Sequence, residues 1–171
     1  MNGRIFVEIE RCMACRRCVL ACAVEHSASK ELYAACAEVP APRARVGVGD
    51  VNGAAVPTSC RHCDAAACVA ACPTGALERR EADGPVLLRE ARCVGCASCV
   101  VACPYGVVRQ HRDRREVTKC DLCVERLAGG RAPACVEACP TRTLTFRGAL
   151  EPDSWLKRAL ASAPTPTVRQ E

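Results

Sequence analysis

Sixteen of the seventeen cysteines in this chain fall into four ordered groups, and any fold it adopts must satisfy them. The groups are Cys12-Cys15-Cys18-Cys22, Cys60-Cys63-Cys68-Cys72, Cys93-Cys96-Cys99-Cys103 and Cys120-Cys123-Cys135-Cys139. The first and third share the spacing C-x2-C-x2-C-x3-C; the second opens one gap to four residues and the fourth opens one to eleven. Pro73, Pro104 and Pro140 follow three of the four last cysteines, whereas Ala23 follows Cys22.

The C-x2-C-x2-C-x3-C run ligates 4Fe–4S clusters. Two-residue gaps let three sulfurs on one tight loop converge on one centre. The fourth cysteine lies about one helical turn further on and points away, and in two-cluster ferredoxins it ligates the other cluster. A proline at that point suits a chain that must leave the helix.

Composition supports the same reading. Half of the residues are hydrophobic, but 17 of the 171 are cysteines, and aromatic residues are 3%: Phe6, Tyr33, Tyr105, Phe146 and Trp155. A small chain that buries so little large apolar surface commonly relies on disulfides or metals. With clusters as the core, site formation and folding become one event, so the apo-protein is not expected to fold stably. Disulfides fit poorly, because the cysteine count is odd, no secretory signal is visible and the triplets would make a peculiar bridge framework. Structural zinc needs pairs, four ligands at a time, not triplets with a distant fourth.

The formal charge of +5 does not indicate nucleic acid. Sixteen thiolates add about −16 and four oxidised cores about +8, which brings the loaded protein to about −3. The arginines then offset buried negative charge, and no basic stripe interleaved with aromatics is present. No membrane span is visible. Arg16-Arg17 lies inside the first cysteine loop without a signal-type apolar core behind it, so a cytoplasmic location is expected.

Along the chain, Ile5, Val7 and Ile9 alternate with charged residues and read as a strand within 1–10. Val19–His26 reads as a helix carrying Cys22, with His26 satisfied at its end. Glu31–Glu38 reads as helical, and the odd Cys36 as a small buried or half-buried hydrophobe. Arg43–Val48 reads as a strand; Gly47-Val48-Gly49 lacks the third glycine and helix of a dinucleotide fingerprint. Leu77–Arg79 pairs with Val86–Leu88 around Asp83-Gly84, Val107–Gln110 with Glu116–Lys119, and Thr143–Phe146 closes the set. Loop, short helix, proline and strand thus recur, predicting an α+β fold of two ferredoxin-like, pseudo-twofold halves. Glu151–Leu160 reads as a short helix with Trp155, Leu156 and Leu160 on one face, packed on its own domain or docked on another subunit; 161–171 reads as a tail.

Cys60-Arg61-His62-Cys63, Cys72-Pro73-Thr74-Gly75-Ala76, Cys103-Pro104-Tyr105-Gly106, Lys119-Cys120-Asp121-Leu122-Cys123 and Pro133-Ala134-Cys135 through Cys139-Pro140-Thr141 resemble the four-cluster iron–sulfur subunits of the dimethyl-sulfoxide-reductase family. The resemblance covers about residues 1–147 and implies four 4Fe–4S clusters in interleaved halves. It implies that Cys12, Cys15 and Cys18 share the first cluster with Cys139, and Cys60, Cys63 and Cys68 the second with Cys103. Cys93, Cys96 and Cys99 would share the third with Cys72, and Cys120, Cys123 and Cys135 the fourth with Cys22. Residues 1–150 then form one four-cluster domain, with 1–26 joined to 116–150, 58–115 as the other half and 27–57 inserted. Residues 151–171 are left as a possible docking element.

Such a protein is a non-catalytic wire. Four cysteines leave no open iron for substrate, and the C-x3-C-x2-C spacing of radical enzymes is absent, since Glu25 and Gly106 stand where it would need its third cysteine. His62, between two ligands, reads as a donor to sulfur or a packing residue beside the cluster, and Lys119 as a residue near cluster sulfur or a neighbouring chain. The compact build and Val24-Glu25-His26-Ser27 resemble the small members that serve carbon monoxide dehydrogenases, formate-hydrogen systems or tungsten-pterin aldehyde oxidoreductases. The resemblance therefore implies a catalytic oxidoreductase subunit of tungsten- or molybdenum-pterin or CO dehydrogenase type, and a flavin- or ferredoxin-type electron partner. Of these the tungsten aldehyde oxidoreductase is favoured, and copies could stack end to end. A redox sensor or iron–sulfur store is the alternative of another class, but no regulatory domain is visible.

Overall fold

The computed structural model describes residues 3–79, 84–111 and 116–148. Strand β1 (Arg4–Val7) opens the chain and leads through a 3-10 turn at Ile9–Arg11 into the first cysteine loop. Helix α1 (Arg17–Glu25) follows and buries Cys18 and Cys22. A short helix, α2 (Leu32–Ala37), is capped by the Glu31 carboxylate, which accepts from the Ala34 N–H at 2.8 Å. Strands β2 (Gly47–Val51) and β3 (Ala54–Thr58) then form an antiparallel hairpin.

The second cysteine group enters α3 (Ala67–Ala70), followed by β4 (Leu77–Glu78) paired with β5 (Leu87–Leu88). A second 3-10 turn at Glu90–Arg92 leads to the third group and α4 (Ser98–Ala102). Strands β6 (Arg109–His111) and β7 (Glu116–Thr118) pair before the fourth group, which spans α5 (Val124–Ala128) and α6 (Ala134–Glu137). Strand β8 (Leu144–Arg147) returns to pair antiparallel with β1, Val7 opposite Leu144 and Arg4 opposite Arg147.

The result is a small mixed fold of short helices and four two-stranded antiparallel sheets among the described residues. Helix α1 packs on α6 and α3 on α4, so the first and fourth cysteine groups lie together and the second and third pack on each other. Among the described residues no helix is long and apolar enough to cross a membrane.

The expected hairpins appear with trimmed ends. One strand moves: the segment expected at Arg43–Val48 begins only at Gly47 and runs to Val51. The cause is the Asn52-Gly53 turn, which holds both residues at positive φ (53° and 81°) and fixes the register of β2 on β3. Two successive left-handed residues suit the right-handed twist of a tight hairpin. Cys36 is exposed, contrary to expectation, because α2 turns only Ala35 inward. The expected helix at Glu151–Leu160 lies outside the described residues.

The core is thin and sulfur-rich. One cluster gathers Cys18, Cys22, Val46, Cys135 and Leu144; another gathers Leu77, Val86, Cys99, Val108 and Val117. Leu77, Leu122 and Leu144 are among the few large side chains that are fully buried. Leu144→Ala should cost about 2–5 kcal/mol, read as a lower denaturant midpoint of the loaded protein; an unchanged midpoint would show that the apolar core carries little.

Candidate metal centres

Each cysteine triplet is held by backbone that most residues avoid. In the first loop Ala14 and Arg16 have φ of 56° and 55°; in the third, Gly95 and Ala97 have φ of 66° and 62°. His62, Leu122 and Cys123 take the same left-handed conformation in the other two groups. Such residues cost free energy unless something over-determines them. They curl the loop inward and aim amide groups at sulfur. The His62 N–H donates to Cys60 Sγ at 3.4 Å, the Leu122 N–H to Cys120 Sγ at 3.3 Å and the Arg45 N–H to Cys22 Sγ at 3.2 Å. Hydroxyls reach other sulfurs: Ser98 lies 3.4 Å from Cys96, Thr74 3.7 Å from Cys72 and Thr141 3.7 Å from Cys139.

Cysteines from distant segments converge. Cys60, Cys63, Cys68 and Cys103 line one cavity together with His62, Val86 and Val108. Burial pushes the Cys68 thiol up, and the charges of Cys60 and Cys103 add to the shift. Burial raises Cys18, helped by Cys139 and Cys15. It raises Cys99, helped by Cys93 and Cys72. Cys123 is pushed up to about 12, chiefly by burial, with Asp121 and Cys22 contributing. Cys135 is likewise raised by burial and by the charges of Cys120, Cys22 and Cys123. All seventeen cysteines are free thiols. Burial opposes charge at Cys72 and Cys139, yet backbone and hydroxyl hydrogen bonds prevail and lower both, and the Ser98 side chain lowers Cys96. Thiols gathered from distant segments, forming no disulfide and already met by N–H and O–H donors, are a donor set that fits iron–sulfur clusters.

Neighbouring groups also meet in the core: Cys68 and Cys72 pack in one patch with Cys93, Cys99 and Cys103. Cys60, Cys103 and Cys120 share one buried patch, as Cys18, Cys22, Cys135 and Cys139 share another. The groups therefore follow one another in the order third, second, fourth, first. Cys15 and Cys96 are the only exposed members of the sixteen, and they belong to the two outermost groups.

His62 is fully buried, and neither ring nitrogen has a hydrogen-bond partner. Burial, with the nearby Lys119 charge, holds its pKa well below the ordinary histidine value, so the ring is neutral. An orphaned neutral imidazole is costly in a finished core, and one N–H directed at sulfur would satisfy it. Lys119 is buried too, but its ammonium donates to the carbonyls of Val86 (2.5 Å) and Cys120 (2.7 Å). It ties backbone together within its own chain, and its charge lies near Cys68 and Cys120.

Three supporting residues escaped the sequence reading. Arg79 holds the second cysteine loop by donating to the carbonyls of His62 (2.7 Å) and Cys63 (2.5 Å). Asp121, between two cysteines, accepts from His26 Nε2 at 3.1 Å, from the Cys123 N–H at 2.9 Å, and pairs with Arg45 at 2.8 Å. Burial opposes its charge, but His26 and Arg45 prevail and hold the carboxyl below the usual range. Burial likewise opposes charge on His26, yet the Asp121 bond raises it to about 10. His26 Nδ1 donates to the Cys22 carbonyl at 2.7 Å, so both ring nitrogens are engaged and the residue is a satisfied helix-end histidine. Only position between ligands marked Asp121; Arg45 and Arg79 carried no sequence signal.

Comparison with known proteins agrees with the cysteine chemistry. A 4Fe-4S dicluster domain model matches residues 51–149 and a 4Fe-4S binding domain model matches residues 9–25. An iron-sulfur protein of Rhodospirillum rubrum is 42% identical, over 84% of this chain and 80% of that protein. The B polypeptide of anaerobic dimethyl sulfoxide reductase from Escherichia coli K12 is 37% identical, over 82% of this chain and 71% of its own length. Protein NrfC of the same strain is 40% identical, over 63% of this chain and 48% of its own.

His62→Ala should lower the midpoint potential of one cluster without loss of iron, if the ring N–H meets sulfur once the cluster is bound. A redox titration followed by electron paramagnetic resonance reads this; disappearance of a whole cluster would instead make His62 a ligand.

Proposed function

Since this protein belongs to the 4Fe-4S dicluster family, as an iron–sulfur electron-transfer subunit related to the B polypeptide of dimethyl sulfoxide reductase, we propose that it holds four 4Fe–4S clusters as a wire. The ligand sets are Cys12, Cys15, Cys18 and Cys139; Cys60, Cys63, Cys68 and Cys103; Cys93, Cys96, Cys99 and Cys72; and Cys120, Cys123, Cys135 and Cys22. When bound, each cluster takes up and releases one electron at a time. The observation that carries this reading is the sulfur neighbourhood: the triplet Cys60, Cys63 and Cys68 lines one cavity with Cys103, the last cysteine of another group, and Cys18, Cys22, Cys135 and Cys139 pack together in one patch. The pairing of β1 with β8 and of α1 with α6 supports halves built from 1–26 with 116–150, and from 58–115.

The residues act by holding and shielding. Left-handed loops aim N–H groups at sulfur, and neutral His62 keeps charge and water out. The Asp121–Arg45–His26 group fixes the charge beside Cys120 and Cys123. No group in the sets keeps a ligand position for substrate, which supports a non-catalytic role. The relatives' names place such proteins in oxidoreductase complexes, so the partners are a catalytic subunit and an electron acceptor or donor. The compact build suits the small members that serve tungsten-pterin aldehyde oxidoreductases, CO dehydrogenases or formate systems; of these we take the tungsten enzyme, with a flavin subunit, as the partner, in the cytoplasm.

Crossed ligation is tested by serine substitutions. Cys22→Ser should perturb the cluster of Cys120, Cys123 and Cys135 and leave the signal of the Cys12 loop unchanged; Cys139→Ser should do the reverse. Electron paramagnetic resonance at controlled potential separates the two. Each substitution disturbing the cluster of its own triplet would overturn the pairing.

A further inference from the structure

The two exposed ligand loops are sequence equivalents that differ in surface charge. Cys12-Met13-Ala14-Cys15-Arg16-Arg17-Cys18 corresponds to Cys93-Val94-Gly95-Cys96-Ala97-Ser98-Cys99. Both loops follow a 3-10 turn, both turn through two left-handed residues, and both feed a helix. The cysteine coupled to each is followed by Pro-Thr and then by a left-handed residue: Arg142 (φ 53°) after Cys139, and Gly75 (φ 61°) after Cys72. The backbone is thus the same, and at three equivalent positions arginine stands in place of alanine, serine and glycine.

Arg16, Arg17 and Arg142 are exposed, and among the described residues none of them pairs with a carboxylate. Residues 11–24 and 138–147 contain no acidic residue. Exposed apolar side chains do not distinguish the loops, since Met13 (63%) and Leu20 (52%) match Val94 (65%) and Val101 (88%); the difference is charge, of which the other loop has none at 97 or 98. Arg11 and Arg92 stand at equivalent places and do not distinguish the two. Arginine at 142 also keeps a left-handed conformation that glycine adopts freely, so the charge is held at a conformational cost.

A redox partner must approach where a ligand reaches the surface, and Cys15 and Cys96 are the two such places. Charges of one sign around an entry site steer an oppositely charged protein and speed its encounter, an effect that salt screens within about 8–10 Å. The geometry points to the Cys15 loop as the docking port for a small acidic one-electron carrier protein that binds and leaves, with Arg16, Arg17 and Arg142 as its recognition residues. This rests on the electron-wire reading above and assigns one end of the wire. The neutral Cys96 loop lacks the charges for such an encounter.

The test uses the loaded protein, prepared without oxygen, and a reduced acidic two-cluster ferredoxin as probe in stopped-flow electron transfer. The second-order rate constant should fall about tenfold or more between low salt and about 0.3 M salt. Joint substitution Arg16→Glu, Arg17→Glu and Arg142→Glu should slow the low-salt reaction about tenfold and abolish the fall with salt. Val101→Glu, beside the other exposed loop, should leave the rate within about twofold. Should the triple variant lose iron, the corresponding Arg→Gln set and the wild-type salt series decide in its place. A wild-type rate indifferent to salt, or Val101→Glu slowing the reaction as much as the arginine changes, would overturn the port. Either result with a full complement of clusters refutes the port alone; a missing cluster at the Cys12 loop would refute the wire and the port together.

Discussion

Buried thiolates repel one another, and this protein brings them together from segments that are far apart in sequence. Burial and mutual charge hold the thiols of Cys18, Cys99, Cys123 and Cys135 above their ordinary value. Iron reverses that penalty and makes the crowding favourable. Among the described residues the strands are two to five residues long, and each pairs with one partner only.

The same constraint explains the polar groups. Amides of residues 45, 62 and 122 point at sulfur, as donors to an anionic centre should. Arg79 and Lys119 donate to backbone carbonyls, among them those of His62, Cys63 and Cys120 in the cysteine loops, while adding positive charge nearby. Asp121 runs against this trend, being a half-buried carboxylate between two cysteines, and it is tolerated because Arg45 and His26 neutralise it. The segment 27–57 therefore does more than connect two cysteine groups. It supplies the guanidinium of Arg45 and the N–H that meets Cys22.

The cysteine groups and their loops were legible in the sequence because ligand spacing is local: two-residue gaps need no knowledge of the rest of the fold. The helix carrying Cys22 and the pairing of Leu77–Glu78 with Leu87–Leu88 followed from periodicity and turn residues. The β2–β3 hairpin was partly missed, since Gly47 and Gly49 obscure the alternation and Asn52-Gly53 was not taken as its turn. Cys36 was misplaced because a helix of six residues shows too little periodicity to say which face turns inward. Arg45 and Asp121 meet across 76 residues, so their pairing has no sequence signature at all.

Iron and acid-labile sulfide per chain, measured on an intact preparation made without oxygen, test most directly whether inorganic clusters shared between distant segments hold and wire this fold. About sixteen irons and as many sulfides are expected from four cubanes. About eight irons, or zinc in place of iron, would contradict it.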